Sequence, residues 1–181
     1  MQLAIFGGSF DPVHIGHEAI VHNALNKLDI DKLVVVPTYL NPFKNSFHLE
    51  PNLRYELLKK VFDNLEKVEI CDYEIKQAKP VYSIQTVKYL KNLYNASKIY
   101  LIIGADNFEN LHKWYKIDEL DSLVEFVIAS RDGYVNKQLQ GFKTLKVDID
   151  ISSSQLRNEI DLNFIPIKIK EDIKNFKKVN S

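Results

Sequence analysis

Short apolar segments rich in branched side chains alternate along the chain with amphipathic segments, and this alternation limits the fold more than any other sequence feature. The segments at residues 2–6, 32–37, 68–72, 98–103, 125–130 and 145–148 have the length and composition of strands. They are apolar throughout, as strands buried on both faces of a parallel sheet are. We therefore expect an α/β fold of the Rossmann-like, doubly wound type, with a mostly parallel sheet and helices on both faces.

Helical periodicity predicts a helix between the first two strands, where Ile15, Ile20 and Ala24 share a face. Further helices are expected at residues 53–65, 83–94, 118–123, 153–160 and 168–179. The length of 181 residues fits one domain over residues 1–181, with a short helical C-terminal end from about residue 152. The longest irregular segment covers residues 38–51, and loops of that length are usually functional or disordered.

The balance of charges restricts the partners that we expect, because 24 Lys and Arg are matched by 24 Asp and Glu. Without a net field, we expect neither nucleic acid nor a membrane as a partner, and any anion site must be local. The single cysteine, Cys71, allows no internal disulfide. The N-terminal segment lacks the pattern of a signal peptide, so we expect a cytoplasmic protein. The sequence leaves the oligomeric state open, a homo-oligomer included.

The segment GGSFDPVHIGH, residues 7–17, directly follows the first expected strand. Gly7 and Gly8 have no Cβ atoms and let the backbone approach a ligand phosphate. His14 and His17 share a face at the start of the expected helix, where the helix end itself attracts anions. Two imidazoles there can donate hydrogen bonds to phosphoryl oxygens. A metal site is the weaker interpretation, because no third ligand is placed to complete the set.

The segment ISSSQLR, residues 151–157, has the pattern of a helix start. Ser152 is the expected N-cap, and Ser153 and Ser154 fall in the first turn. Arg157 follows one turn later and adds a permanent positive charge to the hydroxyls. The segment can therefore form a second phosphate site, although an ordinary serine-capped helix with a solvated arginine is the alternative.

The first segment resembles the signature G-G-[ST]-F-D-P-x-H-x-G-H of the HxGH nucleotidyltransferase superfamily over eleven consecutive positions. Within that superfamily, the whole chain resembles the bacterial nicotinate-mononucleotide adenylyltransferase family. The closing segment is similar to that family's I-S-[ST]-[ST]-x-[IL]-R element. The resemblance implies transfer of the adenylyl group of ATP to nicotinate mononucleotide, with release of pyrophosphate, in NAD biosynthesis. We expect in-line attack without a covalent intermediate, and Mg²⁺ that arrives with ATP and is held mainly by phosphates and water.

The resemblance implies catalytic roles for four residues: His14, His17, Lys44 and Arg157. Lys44 lies in NPFKN, where the family has P-P-H-K, so this chain carries Asn41 and Phe43 in place of a proline and a histidine. The lysine is retained, but the contribution of the histidine is not. We expect Phe43 to have a packing role.

For ATP, the resemblance implies contacts from both segments and from residues that follow three strands: Gly7, Gly8, Ser9, Phe10, His14, His17, Lys44, Asp106, Arg131, Ile151, Ser152, Ser153, Ser154 and Arg157. Asp106 lies in IIGAD and could accept two ribose hydroxyls, with an ordinary helix cap as the alternative. Arg131 lies in SRDGY, which departs from the family's Arg-Pro-Gly because Asp132 replaces the proline.

For nicotinate mononucleotide, the resemblance implies five contacts: Tyr82, Ser83, Asp106, Trp114 and Tyr115. The pair Trp114-Tyr115 is similar to the family's W-Y pair, which stacks on the pyridine ring and binds its carboxylate. A core aromatic is the alternative for Trp114. The segment PVYSIQT, residues 80–86, is similar to P-S-Y-T-x-x-T, so we expect Ser83 to recognise the carboxylate.

Two rival functions remain open. The first is transfer to another phosphate acceptor, but phosphopantetheine enzymes typically have Thr in place of His14 and lack the W-Y pair. Cytidylyltransferases usually end in R-T-x-G-I-S-[ST]-T, whereas DIDISSSQLR lacks the Arg-Thr lead. The second is a nucleotide-binding regulator without turnover, which should have a broken first or last segment, and both segments are intact.

Overall fold

Six strands form one sheet in the order β3-β2-β1-β4-β5-β6, which is the order of the Rossmann fold. This computed structural model describes residues 1–131, 141–147, 149, 151, 153–158 and 161–179. The strands are β1 (Gln2–Gly8), β2 (Lys32–Pro37), β3 (Val68–Ile70), β4 (Lys98–Gly104), β5 (Glu125–Arg131) and β6 (Lys143–Val147). All five neighbouring pairs of these strands are parallel, which confirms the expected fold.

Eight α-helices lie among the described residues: α1 (Ile15–Lys27), α2 (Pro51–Phe62), α3 (Tyr73–Lys76), α4 (Ser83–Leu93), α5 (Ala105–Glu109), α6 (Ile117–Asp121), α7 (Ser153–Asn158) and α8 (Lys170–Val179). Helix α2 begins two residues before the predicted start, because proline is favoured in the first helical turn. Helices α3 and α5 were not predicted, since four or five residues are too few to show a helical period.

The apolar strands divide their side chains between two cores, one on each face of the sheet. Along β1, Ala4 and Phe6 belong to one core, whereas Leu3 and Ile5 belong to the other. Helices α1, α2 and α8 cover the first face, and α4 and α6 cover the second. This two-sided burial explains why the strands are apolar throughout, and it confirms the expected helices on both faces. Within the described part of the chain, no helix has the length and apolarity needed to cross a bilayer.

The crossover connections reverse direction between β1 and β4, which are neighbours in the sheet. In an open parallel sheet, this reversal leaves a crevice beyond the carboxyl ends of the two strands. The segment after β1, the irregular residues 38–50 after β2 and the start of α5 after β4 all lie at this edge. The fold therefore brings the predicted site residues of three separate segments to one crevice.

The loop after β2 has no regular structure, and the side chain of Arg54 holds it in place. This residue of α2 is 1% exposed. Its Nε donates to the carbonyl oxygen of Leu49 at 3.0 Å, and its Nη1 donates to those of Ser9 and Thr38 at 2.6 and 2.7 Å. Its Nη2 donates to the carbonyl oxygen of Tyr39 at 2.8 Å. One guanidinium thus connects the loop after β1 to both ends of the loop after β2.

The carboxylate of Asp11 connects the same two loops through the opposite kind of hydrogen bond. Asp11 is 3% exposed, and it accepts from the backbone N–H groups of His48 and Leu49, both at 2.7 Å. Charge-assisted hydrogen bonds of this kind are shorter and stronger than neutral ones. The two loops are therefore fastened by a buried cation and a buried anion, each satisfied mainly by backbone groups.

We predict that Arg54→Leu lowers the free energy of unfolding by about 3–5 kcal/mol, because four buried carbonyl groups lose their donor. Urea unfolding followed by circular dichroism measures the change. The control is Lys59→Ala on the same helix, since Lys59 is exposed and forms an ion pair with Glu56 that is exposed too. A loss below about 1 kcal/mol in Arg54→Leu would contradict the structural role given to this side chain.

Candidate active site

A cavity of about 480 Å³ opens at the crevice between β1 and β4, a volume typical of small-molecule sites. Its walls come from the loops after β1, β2 and β4, from the start of α4 and from the segment around Trp114. Fourteen of the residues predicted for the site line it: Gly7, Gly8, Ser9, Phe10, His14, His17, Lys44, Tyr82, Ser83, Asp106, Trp114, Tyr115, Ile151 and Ser153. The structure thus brings together most of the residues that the sequence indicated.

The two histidines meet at the start of α1. His14 is the N-cap residue, with extended backbone angles (φ −142°, ψ 168°), and its side chain is buried. The rings of His14 and His17 stack with their centroids 3.7 Å apart and their planes at 27°. The backbone N–H of His14 donates to Nδ1 of His17 at 3.2 Å. Because Nδ1 of His17 accepts this bond, the proton of a neutral His17 ring lies on Nε2.

His17 is held in its neutral form. Burial lowers the pKa of His17 well below its usual value, and the neighbouring His14 lowers the pKa further. The ring of Phe10 packs edge-on against His17 at 4.9 Å and supplies part of that apolar surrounding. At neutral pH, His17 is therefore an uncharged donor at Nε2, and the positive charge of the site comes from other residues.

Gly16 keeps the space that the His14 ring occupies. A Cβ atom on Gly16 would lie 3.0 Å from Nδ1 and 3.1 Å from Cε1 of His14, which is closer than such atoms normally approach. The glycine between the two histidines is therefore needed for ring placement, a role that the sequence alone did not reveal.

The C-terminal segment lies against the loop after β1. The Ser153 hydroxyl donates to the carbonyl oxygen of Pro12 at 3.2 Å. The Nη1 of Arg157 donates to the carbonyl oxygen of Asp11 at 3.0 Å, and its Nη2 donates to Oγ of Ser154 at 2.8 Å. The two segments that the sequence predicted to converge thus do lie side by side, although Ser154 and Arg157 are next to the cavity and not in its walls.

Lys44 extends from the loop after β2 toward the same place. Its Nζ donates to Oγ of Ser9 at 3.3 Å. Loss of solvent lowers the pKa of Lys44, and the nearby positive charge of Arg157 is the second cause. Two cations from distant parts of the chain therefore lie close together beside the histidine pair, as a site for a polyanion requires.

The expectation that Phe43 has a packing role is wrong, because its side chain is 66% exposed. Asn41 causes this exposure through a local turn. Its side-chain Oδ1 accepts from the N–H of Phe43, and its carbonyl oxygen accepts from the N–H of Lys44, both at 2.9 Å. The turn leaves Phe43 at the mouth of the cavity.

Two predicted residues cannot be placed in full. Arg131 ends β5 at the expected edge of the sheet, and only its backbone is described. Ser152 lies outside the described residues, as does Asp132. Their assignment to the nucleotide therefore stays a prediction.

The other end of the cavity is aromatic. The rings of Tyr82 and Tyr115 lie 4.6 Å apart at 32°, and both side chains are about half exposed. Tyr82 is the N-cap of α4, which places Ser83 in the first helical turn. Trp114 packs against the core beneath α4 and α6 and also lines the cavity, so its contact with a substrate stays a prediction.

Sequence reasoning missed one acidic residue of the cavity wall, Glu74 of α3. Its side chain is buried, and its Oε1 accepts from the hydroxyl of Thr86 on α4 at 2.6 Å. No signal in the sequence separates Glu74 from the solvated acidic residues of other helices, because α3 is only four residues long.

The sheet order, the histidine pair at the helix start and the adjacent cationic segment are features of nucleotidyltransferases. The cytidylyltransferase-like family profile matches residues 5–159 of this chain. The chain is 65% identical over 178 residues to an Aliarcobacter butzleri protein described as "Probable nicotinate-nucleotide adenylyltransferase", with 98% of each chain covered. It is 52% identical over 176 residues to a Campylobacter jejuni protein of the same description, with 97% of this chain and 96% of that protein covered.

A solved structure of the Plasmodium falciparum nicotinic acid mononucleotide adenylyltransferase, complexed with NaAD, has a similar fold. Its TM-score is 0.76 at 25% sequence identity, and the match covers 96% of this chain and 95% of that chain. The chain studied here belongs to the nicotinate-nucleotide adenylyltransferase family, and it is a nucleotidyltransferase enzyme.

We predict that Gly16→Ala lowers the rate of nucleotidyl transfer at least tenfold, because the new methyl group displaces the His14 ring from its stacked position. Alanine is a better helix former than glycine by about 1 kcal/mol, so the thermal stability should not fall along with the rate. Steady-state kinetics and thermal unfolding of the same preparation separate the two effects. A variant with normal turnover would show that the ring has room to adjust.

Proposed function

We propose that this enzyme transfers the adenylyl group of ATP to nicotinate mononucleotide, giving nicotinate adenine dinucleotide and pyrophosphate, in NAD biosynthesis. The observation that carries the proposal is the meeting of the N-terminal histidine segment with the Ser153–Arg157 end of the chain beside one cavity. Full-length identity to relatives of this description supports the substrates. So does the fold shared with an enzyme complexed with NaAD.

The phosphates of ATP are expected at the start of α1. The Nε2–H of His17 and the His14 ring donate to oxygens of the α-phosphoryl group, and the free amides of the helix end add to this attraction. Lys44, Arg157 and the hydroxyls of Ser153 and Ser154 take the β- and γ-phosphates. In this arrangement, the positively charged side chains contact the β- and γ-phosphates. These two phosphates leave as pyrophosphate and carry the negative charge with them.

The remaining contacts of ATP follow from the same placement. We expect the backbone at Gly7, Gly8, Ser9 and Phe10 to lie along the nucleotide, together with Ile151. Ser152 is assigned to the nucleotide by the sequence resemblance alone. Asp106, at the start of α5, accepts from ribose hydroxyls. Arg131, at the end of β5, completes the nucleotide contacts that we propose.

The metal that accompanies ATP is expected to be Mg²⁺. Within the part of the chain that the structure describes, no group of three or more His, Cys, Asp or Glu residues could hold a metal ion. Mg²⁺ keeps most of its water and commonly binds through substrate phosphates. The residues present therefore fit a metal ion that enters with the triphosphate. When bound, this ion would neutralise charge on the departing pyrophosphate.

The aromatic end of the cavity is expected to hold the mononucleotide. Trp114 and Tyr115 provide stacking surface for the pyridine ring, and Tyr82 covers it from the start of α4. Ser83 and the amides of this helix start face the ring carboxylate. Asp106 lies between the two substrates and serves both, because each carries a ribose.

The chemistry needs no general base, because the 5′-phosphate of the mononucleotide is already ionised. An oxygen of that phosphate forms a bond to the α-phosphorus of ATP, while the bond from that phosphorus to the bridging oxygen breaks. The electron pair leaves on pyrophosphate. Catalysis is therefore positioning of the two phosphates in line and stabilisation of charge on the transferred group.

We predict no exchange of labelled pyrophosphate into ATP in the absence of the mononucleotide, because direct attack forms no adenylyl-enzyme. Exchange should appear once nicotinate adenine dinucleotide is supplied, since the reverse reaction then makes ATP. Incubation with ATP, Mg²⁺ and [³²P]pyrophosphate, with and without the dinucleotide, measures both cases. Acceptor-independent exchange would establish a covalent intermediate instead.

We predict that His17→Ala lowers kcat by about 10²- to 10³-fold, the range for loss of one preorganised donor to a developing negative charge. The matched control is His22→Ala, since His22 lies on the exposed face of the same helix. Initial rates of pyrophosphate release from ATP and nicotinate mononucleotide give the comparison. Nearly full turnover in His17→Ala would refute the role of its Nε2–H.

A further inference from the structure

The carboxyl group of Glu74 lies in the cavity wall, and one of its two oxygens has no hydrogen-bond partner among the described residues. The side chain is 5% exposed, and its Oε1 accepts from the Thr86 hydroxyl at 2.6 Å. Its Oε2 is buried and has no hydrogen-bond partner among the described residues. The residue lines the aromatic end of the cavity together with Ser83 and Trp114. A buried carboxyl oxygen without a partner is costly, and such groups are commonly found where function needs them.

The indole nitrogen of Trp114 is a second buried polar atom in this part of the molecule. Its Nε1 is buried and has no hydrogen-bond partner among the described residues. The aromatic end of the cavity therefore contains an indole donor and a carboxyl group that the described part of the protein does not satisfy.

Among the described residues, no cation contributes to the pKa of Glu74. Burial raises the pKa of Glu74 to about 7, and only the Thr86 hydroxyl acts in the other direction. On α3 itself, Lys76 is paired with Asp72 at 3.0 Å. The ionisable groups on the neighbouring segments include Cys71 after β3, whose pKa is raised by burial, Tyr73 of α3, Tyr82 and Tyr89 of α4, and Tyr115.

The two ionisation states of Glu74 favour different ring substituents. A neutral carboxyl places no negative charge beside the ring carboxylate, and its O–H is a hydrogen-bond donor. An ionised carboxyl offers only acceptors, so it repels a carboxylate and attracts the N–H groups of a carboxamide. The low polarity of the surrounding core lets this effect reach the pyridine ring without direct contact.

We propose, on the basis of the function proposed above, that Glu74 is a specificity-determining residue for the acceptor. Its neutral form favours the nicotinate mononucleotide, and its ionised form lowers the preference for the ring carboxylate over the carboxamide of nicotinamide mononucleotide. The preference of this enzyme is therefore dependent on pH through one buried group.

The test is a competition between the two mononucleotides at several pH values. Equal amounts are supplied with ATP and Mg²⁺ from pH 6 to 8.5, and the two dinucleotides are separated to give the ratio of kcat/KM values. Titration of the 5′-phosphate, of Lys44 or of the histidines affects both acceptors alike and cancels in this ratio. The ring carboxylate stays ionised throughout.

We expect the ratio of nicotinate to nicotinamide product to fall on the order of tenfold as the pH rises through 7, because an ionised Glu74 then faces the ring carboxylate. In Glu74→Gln the amide oxygen still accepts from Thr86, so the ratio should stay at its low-pH level at every pH. The matched control is Glu66→Gln, an equal change of charge at an exposed position, which should follow the wild type.

A second variant moves the midpoint without removing the carboxyl group. Because the Thr86 hydroxyl lowers the pKa of Glu74, Thr86→Val should move the midpoint of the ratio upward by about one pH unit. A wild-type ratio that does not change with pH would overturn the proposal. So would a pH dependence retained in Glu74→Gln, or an unmoved midpoint in Thr86→Val. If Glu74 had only a structural role, Glu74→Gln would instead lower the rates with the two mononucleotides equally.

Failure of the proposed function has a different signature, since the wild type would then make a dinucleotide from neither mononucleotide. Trp114, the only tryptophan of the chain, lines the cavity and reports binding by fluorescence without turnover. Titration of wild type and Glu74→Gln with each mononucleotide at pH 6 and 8.5 then measures the preference directly. The two proteins should have the same affinity ratio at pH 6 and different ratios at pH 8.5. Equal affinity ratios at pH 8.5 would overturn the role of Glu74 whether or not the reaction occurs.

Discussion

The buried guanidinium of Arg54 is the interaction on which the rest of the site depends. A parallel sheet gives a rigid edge, but the segments that leave it after β1 and β2 have no helix or strand of their own until α1 and α2 begin. Four carbonyl groups from these segments converge on one side chain with donors in a fixed fork. The ammonium group of a lysine has no such planar geometry. The placement of Lys44 and of the histidine segment thus originates in a helix that itself contributes nothing to the cavity wall.

The chain carries no net charge, and positive charge is concentrated locally by the fold. Burial is the main cause of the lowered pKa of Lys44, and the nearby positive charge of Arg157 adds to it. An anion bound between these two side chains would offset their repulsion. His17 complements this arrangement because burial keeps its ring neutral, so it adds no positive charge beside the two cations.

Much of the fold could be predicted from the sequence, because strands buried on both faces of a parallel sheet are apolar along their whole length. The two terminal segments could also be predicted, since their spacing is local. The side chains of Arg54 and Glu74 could not, because a charged residue in an amphipathic helix has the same pattern whether it is solvated or buried. Phe43 was wrongly expected to pack, since the turn made by Asn41 depends on a side-chain hydrogen bond and not on hydrophobicity. The tautomer of His17 follows from a single backbone contact that only coordinates reveal.

The hydrogen bond from Arg157 to the carbonyl oxygen of Asp11 joins positions that lie 146 residues apart. During synthesis on the ribosome, the strand and helix that carry the histidines emerge well before Arg157, which contacts their loop. Domains fold as units, and contacts this distant in sequence form late. A nascent polypeptide consequently lacks the contact between these two segments until Arg157 has been added, so translation products that stop before that residue would carry the histidine signature without its cationic neighbour.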